Sequence, residues 1–506
     1  MSVVEDSATK HLETSSSFNK ELSAPVPAPI QRDPVEERRA KCTFSQLITA
    51  VAVSLLSLVM GYATAYTSPA EASLRRDMYL GNGEISWIGG LLPLSAVFGG
   101  LLGGISIGYC GRKGTLFLIN IIFLISWLLI YYAENFYYIY VSRCLAGCSL
   151  GLATLTLPVY LVETLQPEVR GVLGLLPMTF GNIGILLCFI YGIFVEWKFL
   201  AAIGILLSLP FLVFFLWIIP ESPTWYLHNN KPDKCMKTLA WLRNDKQDVT
   251  EEFNNLVRAH NEKKSRNTRL TTLFKHPNLK PLSIILCLMF FQQFSGINAV
   301  IFYTTSIFRA SRWDLSPMVC TTIIGLVNLL ATFLANGLID KLGRKLLLQA
   351  SSIMMTMGLG CLGFYYYVKE ILDVDVEEYG FLTLINLIIF VAGFSIGFGP
   401  IPWLMMGELL PLEIKSLAAA LATSVNWICT FVITVTFPSI TQMFGYFAVF
   451  WFYCCMVITA GLLTWLFVPE TRGRSLDDIE RRLSGHQNIQ HAKSIAMLKP
   501  FPATTM

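Results

Sequence analysis

The chain has 506 residues, of which 54% are hydrophobic and only 14% are charged, and its formal net charge is +4. So few charged side chains could not solvate the surface of a soluble protein of this length, and the composition therefore excludes an ordinary soluble globular protein. The small positive charge does not call for a nucleic acid partner, and none is expected.

Apolar runs of about twenty residues recur along the chain, and each is long enough to cross about 30 Å of hydrocarbon as a helix. Backbone groups in lipid must be hydrogen-bonded within the segment, which favours helices. The sequence therefore predicts an all-α membrane protein with twelve transmembrane helices, at roughly 44–66, 84–107, 115–132, 137–163, 172–195, 198–219, 282–308, 317–338, 346–368, 381–409, 416–440 and 446–468.

The segments outside these helices are polar. Residues 1–43 contain short clusters of Ser and Pro without the apolar core of a signal peptide, which predicts a disordered tail. Residues 220–281 are predicted to be a linker with short helices, and residues 469–506 a second tail. Lys and Arg concentrate in the loops on the linker's side, whereas the loop 369–380 on the other side is mainly acidic. This asymmetry predicts that both tails and the linker are cytoplasmic.

Three short motifs occur twice, in the same order and at nearly one spacing. The pairs are GYCGRK at 108–113 with DKLGRK at 340–345, Glu163 and Arg170 with Glu408 and Lys415, and PESPTW at 220–225 with PETRGR at 469–474. They predict two related halves of six helices each, residues 44–219 and 282–468. Two such halves in parallel repeat are one architecture of secondary transporters, in which substrate binds between the halves.

The seventh predicted helix carries uncharged amides at membrane depth, in FFQQFSGINAVIFYTTSIF at 290–308. An amide offers both a donor and an acceptor without carrying a charge, which would be costly at membrane depth. On an ideal helix Asn298 would lie about 140° around from Gln293. These amides can therefore face one cavity only if the helix breaks at Ser295 and Gly296. The alternative is that the amides only hydrogen-bond neighbouring helices.

The tenth predicted helix contains GFGPIP at 397–402, which places two glycines and two prolines in its middle. Proline removes a backbone hydrogen bond and kinks a helix, so Gly399, Pro400 and Pro402 are candidate hinge residues. Trp403 follows directly, so a hinge there would move its indole ring.

Taken together, the motifs resemble those of the sugar porters of the major facilitator superfamily, over about residues 44–480. They are Arg143 with Gly147, PVYLVETLQPEVRG at 158–171, PESPTW at 220–225, QQFSGINAVIFY at 292–303, GFGPIPWLMMGE at 397–408 and PETRGRS at 469–475. Within that family the chain is most similar to insect facilitated trehalose transporters, through GLLPMTFGNIGILLCF at 174–189, IGLVNLLATF at 324–333 and SIAMLKPFP at 494–502.

The resemblance implies the major facilitator fold and facilitated transport of a sugar, trehalose, across the plasma membrane by alternating access. It implies a chain that works as a monomer in the lipid bilayer, without a cofactor or metal and without enzyme activity. The implied sugar contacts are Gln292, Gln293, Asn298, Asn328, Trp403 and Asn426. The implied latch residues at the cytoplasmic gate are Arg112, Arg143, Glu163, Arg170, Glu221, Asp340, Arg344, Glu408, Lys415 and Glu470. For Asn328 or Asn426 alone, hydrogen bonding between helices explains the residue equally well.

Several positions depart from the patterns of related carriers, among them Gly108, Thr224 and Lys415 in the latch motifs, which leaves the strength of the latches open. Proton-coupled relatives carry an acid in the first helix where Ala63 stands, and uniport is therefore expected. Met178 and Ser395 stand where glucose-type relatives carry Gln and Glu, which leaves room for a second sugar ring. Two alternatives remain open: a facilitator for glucose, fructose or a polyol, and a non-transporting sugar sensor on the same fold, which the short tails disfavour.

Overall fold

The computed structural model describes residues 43–244, 249–264, 273, 276–411 and 414–472. Within these residues the helices are α1 Phe44–Ala65, α2 Thr67–Met78, α3 Asn82–Tyr131, α4 Phe136–Thr164, α5 Pro167–Leu173, α6 Leu176–Phe194, α7 Trp197–Trp217, α8 Pro223–His228, α9 Pro232–Leu242, α10 Thr250–Lys264, α11 His276–Phe294, α12 Ile297–Ser311, α13 Pro317–Leu342, α14 Arg344–Glu370, α15 Phe381–Ile396, α16 Ile401–Leu409 and α17 Lys415–Phe467. A 3₁₀ turn, Glu377–Tyr379, precedes α15. The predicted tails lie almost entirely outside the described residues.

Ten helical segments in the described part of the chain are long and apolar enough to cross a membrane. Two of them, α3 and α17, are 50 and 53 residues long. An unbroken 50-residue helix would be about 75 Å long, more than twice the hydrocarbon thickness of about 30 Å. Each instead breaks at a glycine with positive φ, Gly111 at +77° and Gly445 at +84°. Each therefore contains two crossings, and the predicted all-α fold with twelve transmembrane helices is confirmed.

The outside of the helices carries large apolar side chains. Phe98, Leu330 and Trp465 are exposed to 58%, 58% and 62%, and many similar residues surround the protein at the same level of exposure. Apolar surface of this extent would be unfavourable in water, whereas hydrocarbon accepts it. The chain is therefore a multi-pass membrane protein.

The interior of the first half (α1–α7) is organised around buried aromatic rings. Tyr62 of α1 and Tyr66, which directly follows α1, each meet Trp127 of α3 edge to face, with ring centroids 5.5 Å apart. Their hydroxyls donate to the carbonyls of Leu200 and Trp197 on α7, both at 2.9 Å. Because both ends of each tyrosine are satisfied, α1 is held in a fixed orientation between α3 and α7.

The second half (α11–α17) contacts the first half through polar side chains at the membrane face opposite the linker, which we call the opposite face. Ser68 of α2 and Thr305 of α12 share a hydrogen bond of 3.0 Å. The Ser306 hydroxyl donates to the buried carboxylate of Glu71 at 2.5 Å. These contacts join the two halves at that face.

The linker helices α8–α10 pack beneath the first half, at the membrane face that we call the linker face. The guanidinium of Arg243 donates to the Thr164 carbonyl at the end of α4 and pairs with Glu252 at 2.6 Å. The Thr43 hydroxyl donates to the Leu242 carbonyl at 2.7 Å. The linker thus connects the start of α1 with the end of α4.

Candidate functional site

The seventh crossing is interrupted where the sequence predicts it. α11 ends at Phe294, Gly296 has φ +87°, and α12 begins at Ile297. A Cβ atom on Gly296 would lie 2.3 Å from the Tyr453 ring, so both the backbone conformation and the space favour glycine. The Ser295 hydroxyl donates to the Gln292 carbonyl at 2.7 Å, which pairs one carbonyl at the broken helix end.

Around this break the amides form one hydrogen-bonded network between α11, α12 and α17. Asn426 donates to the Gln292 Oε1 atom at 2.8 Å and accepts from the Gln293 Nε2 atom at 3.0 Å. Asn298 in turn donates to the Gln293 Oε1 atom and to the Thr430 hydroxyl. The break brings the three amides of the motif together, as the helical geometry required.

Gln292 has a further role that links the two broken crossings. Its Nε2 atom donates to the carbonyls of Phe398 and Gly399, at 2.8 and 2.9 Å, in the interruption between α15 and α16. In a continuous helix the Phe398 carbonyl would accept from the N–H of residue 402, but Pro402 has none. Gln292 thus pairs a carbonyl that the proline leaves without its helical donor.

The side chains of the network differ in exposure. Gln292 is 2% exposed, Gln293 6% and Asn426 2%, whereas Asn298 and Trp403 are half-buried. The first three are therefore engaged between helices in this conformation, which is the alternative role considered for them. Thr430 was missed in the sequence, although it lies one helical turn after Asn426 and thus on the same helix face.

Asn328 belongs to a second polar cluster. Its amide donates to Asn182 of α6 at 3.3 Å, and its Oδ1 atom accepts from Ser395 at 2.8 Å. Asn182 donates in turn to the Thr332 hydroxyl at 2.7 Å. Sequence reasoning missed Asn182 and Thr332. The signal in the sequence was Asn182 itself, a single amide within the largely apolar fifth predicted helix.

The repeated motifs form two equivalent ion-pair clusters at the linker face. In the first half, both Nε and Nη2 of Arg112 contact the Glu163 carboxylate at 2.8 Å. In the second half, Nε and Nη2 of Arg344 contact one oxygen of Glu408, at 3.2 and 2.9 Å. Each pair joins helices of the same half, α3 to α4 and α14 to α16. The clusters therefore tie each half together internally.

A second carboxylate completes each cluster by capping a helix. Glu221 accepts the backbone N–H groups of Arg112 and Lys113, at 3.0 and 3.1 Å. Glu470 accepts those of Arg344 and Lys345, at 3.1 and 3.0 Å. These N–H groups follow a positive-φ glycine and have no partner within the new helix. The two clusters have the same construction, as the repeat predicts.

The two capping carboxyls differ in their pKa. Burial raises the pKa of Glu221 above its ordinary value, and this effect exceeds the opposing one of its backbone hydrogen bonds. Burial alone would also raise the pKa of Glu470, but the backbone N–H groups that bind it outweigh burial and lower its pKa. Acid therefore has opposite effects on the contributions of these two carboxyls to stability.

The other predicted latch residues occupy different places. Arg143 is 1% exposed within the first half, donates to the Ala63 carbonyl at 2.9 Å and to Thr67, and lies apart from the ion pairs. Arg170 donates to the carbonyls at the end of α4, and Lys415 to the Gly407 carbonyl at 2.6 Å. The side chain of Asp340 lies outside the described part. Among the described residues, no group of three or more His, Cys, Asp or Glu could hold a metal ion.

The amino-acid sequence is similar to those of known proteins over most of its length. A family model described as "Sugar (and other) transporter" matches residues 49–483. The chain is 48% identical to the facilitated trehalose transporter Tret1 of Culex quinquefasciatus, covering 92% of this chain and 91% of that protein. It is 46% identical to Tret1 of Apis mellifera ligustica, covering 91% and 92%.

Solved structures agree on the fold. The proton:xylose symporter XylE of the major facilitator superfamily, bound to 6-bromo-6-deoxy-D-glucose, superposes with a TM-score of 0.71 at 24% identity, over 87% of this chain and 99% of that one. The inward-open form of XylE from E. coli gives a TM-score of 0.70 at 23% identity, over 86% and 98%. The predicted major facilitator fold is therefore confirmed.

Proposed function

The chain belongs to the sugar (and other) transporter family, and on that premise we propose that it carries trehalose by facilitated diffusion through alternating access. The family consists of transporters rather than enzymes. The relatives named above, at 46–48% identity over nine-tenths of the chain, are facilitated trehalose transporters. The proposed substrate is a small neutral sugar that passes between the two halves of one monomer.

The observation that carries the proposal is the uncharged amide network at the two helix breaks. Gln293 uses both ends of its amide, since its Nε2 atom donates to Asn426 and its Oε1 atom accepts from Asn298. A sugar hydroxyl is also both donor and acceptor, so it can replace an internal partner at little net cost, since one hydrogen bond contributes only about 0.5–1.5 kcal/mol. Half-buried Asn298 is the member from which such an exchange would begin. Gln292, Asn328 and Trp403 complete the proposed contact set.

Movement of the halves is supported by how their contacts are distributed. Ser68, Glu71, Thr305 and Ser306 join the halves at the opposite face, whereas the ion pairs at the linker face hold each half together as a unit. Rocking of two such units exposes a site between them to each side in turn. Gly399, Pro400 and Pro402, at the break beside Gln292, are the proposed hinge.

Transport without an ion gradient is supported by the surroundings of Arg143. This buried guanidinium binds the Ala63 carbonyl and the Thr67 hydroxyl, and its cation lies 4.7 Å from the Tyr66 ring centroid. These partners are uncharged, and none exchanges a proton near neutral pH. We therefore propose uniport in the plasma membrane, with the linker and both tails in the cytoplasm because Lys and Arg concentrate at the linker face.

The test is uptake of radiolabelled trehalose by purified protein in liposomes, at two pH values and with competing glucose, fructose and a polyol. We expect saturable uptake that proceeds in both directions and does not depend on a pH gradient. Asn298→Ala should raise KM, whereas Asn120→Val should leave KM unchanged. Asn120 is a buried amide that donates to the Ser208 carbonyl within the first half at 3.2 Å. Uptake of glucose alone would assign a monosaccharide carrier, and binding without flux would assign a sensor.

A further inference from the structure

The second polar cluster is a closed ring of hydrogen bonds between the two halves. Asn182 Nδ2 on α6 donates to Thr332 Oγ1 on α13 at 2.7 Å. The Thr332 hydroxyl in turn donates to the backbone carbonyl of Asn328 at 2.8 Å. Asn328 Nδ2 closes the ring by donating to Asn182 Oδ1 at 3.3 Å. Because α6 belongs to the first half and α13 to the second, Asn182 fixes an amide of one half from the other.

The backbones hold this ring in place at a close crossing of α6 and α13. A Cβ atom on Gly325 would lie 2.9 Å from the Phe189 ring and 3.4 Å from the Leu186 Cα atom. Asn182 lies one helical turn before Leu186, and Asn328 three residues after Gly325. The two amides are therefore brought together by the packing of the helices rather than by flexible side chains alone.

The ring also decides which end of the Asn328 amide faces which partner. Its NH₂ group is directed to Asn182, and its oxygen accepts from the buried Ser395 hydroxyl at 2.8 Å. An amide that is reversed would present two donors to Ser395 and an oxygen to Asn182 Oδ1, which is also an acceptor. One N–H of Asn328 is used by Asn182, and its second has no partner among the described residues, in a side chain that is only half-buried.

We infer that Asn182 is a positioning residue of the sugar site: it orients the Asn328 amide so that the second N–H of Asn328 is directed to a sugar oxygen. The inference rests on the proposed function, because Asn328 is one of the proposed sugar contacts. This role of Asn182 would place part of the sugar specificity in the first half, on α6, where Met178 offers no polar group. The effect of Asn182 on sugar affinity then passes entirely through Asn328.

A double-mutant cycle tests this. Wild type, Asn182→Leu, Asn328→Leu and the double variant are reconstituted in liposomes, and initial rates of trehalose uptake give KM and maximal rate. We expect Asn182→Leu to raise KM about tenfold, the equivalent of one oriented hydrogen bond, with the maximal rate within about twofold of wild type. We expect the double variant to have the same KM as Asn328→Leu alone. Asn120→Leu controls for loss of a buried amide as such.

Two results would overturn the inference: an unchanged KM in Asn182→Leu, or a KM in the double variant well above that of Asn328→Leu, which would make Asn182 act independently. If wild type carries glucose and not trehalose, the cycle is run with glucose. The proposed substrate then fails while the positioning role is decided by the same comparison. If wild type carries no sugar, both proposals fall.

Discussion

Replacement of Gln292 by methionine separates the two roles that this side chain combines. Gln292→Met keeps the length of the side chain and removes its three hydrogen bonds, to the carbonyls of Phe398 and Gly399 and from Asn426. The Phe398 carbonyl is then buried without a partner, because Pro402 offers no N–H. A buried unpaired carbonyl costs about 1–3 kcal/mol, and we expect Gln292→Met to be less stable than wild type by about that amount.

The matched variant is Pro402→Ala, which supplies the missing N–H to the Phe398 carbonyl. In that background Gln292 is no longer the sole donor within reach, so Gln292→Met should cost less there, with a coupling energy of roughly 1–2 kcal/mol. Thermal unfolding of the four purified proteins in detergent, followed by tryptophan fluorescence, gives the cycle. Equal losses of stability in both backgrounds would refute the argument that Gln292 replaces the proline's N–H.

The same four proteins separate support of the helix break from sugar binding. If Gln292 also contacts the sugar, Pro402→Ala should restore stability to Gln292→Met while KM for trehalose stays raised. Uptake into liposomes measures this directly. Because Pro402 is itself a proposed hinge residue, the reference is the KM of Pro402→Ala alone. An equal KM in the restabilised double variant would show that Gln292 only supports the helix break, and it would remove Gln292 from the proposed contact set.

Two further predictions concern the faces of the membrane domain. Ser306→Ala removes the hydrogen bond to Glu71 that joins the halves. In a Ser68→Cys background, this change should make a membrane-impermeant maleimide label the introduced cysteine several-fold faster than in Ser68→Cys alone. An unchanged labelling rate would exclude Ser306 from closure of the opposite face. Because the pKa of Glu470 is lowered in the folded protein, its carboxylate stabilises the fold at pH values above the ordinary pKa of glutamate, and this stabilisation is lost as the pH falls through the pKa of the folded state. Because the pKa of Glu221 is raised in the folded protein, its carboxyl group stabilises the fold at low pH, and this stabilisation is lost as the pH rises through the pKa of the folded state. Melting temperatures between about pH 3 and 6 should therefore depend less on pH in Glu470→Gln than in wild type, and rise more steeply with pH in Glu221→Gln; the opposite order would contradict these shifts.

The sequence by itself determined the crossings, the repeat and the helix break, because each depends on neighbours along the chain. Apolar length sets a membrane crossing. The Gly-Arg-Lys motifs recur at the break within α3 and at the end of α13 because both halves make the same turn. The break at Gly296 follows from the angular spacing of Gln293 and Asn298 together with a residue that tolerates positive φ.

Only the tertiary structure decided which polar groups meet. Gln292 contacts a carbonyl 106 residues away, and Asn182 contacts Thr332 across 150 residues. Such pairs depend on how whole helices cross, and the spacing of residues along the chain does not predict these crossings. For the same reason Arg143, grouped with the latch residues by resemblance, lies inside the first half against the Ala63 carbonyl. A buried polar side chain must find a partner, but helix packing decides which partner is within reach.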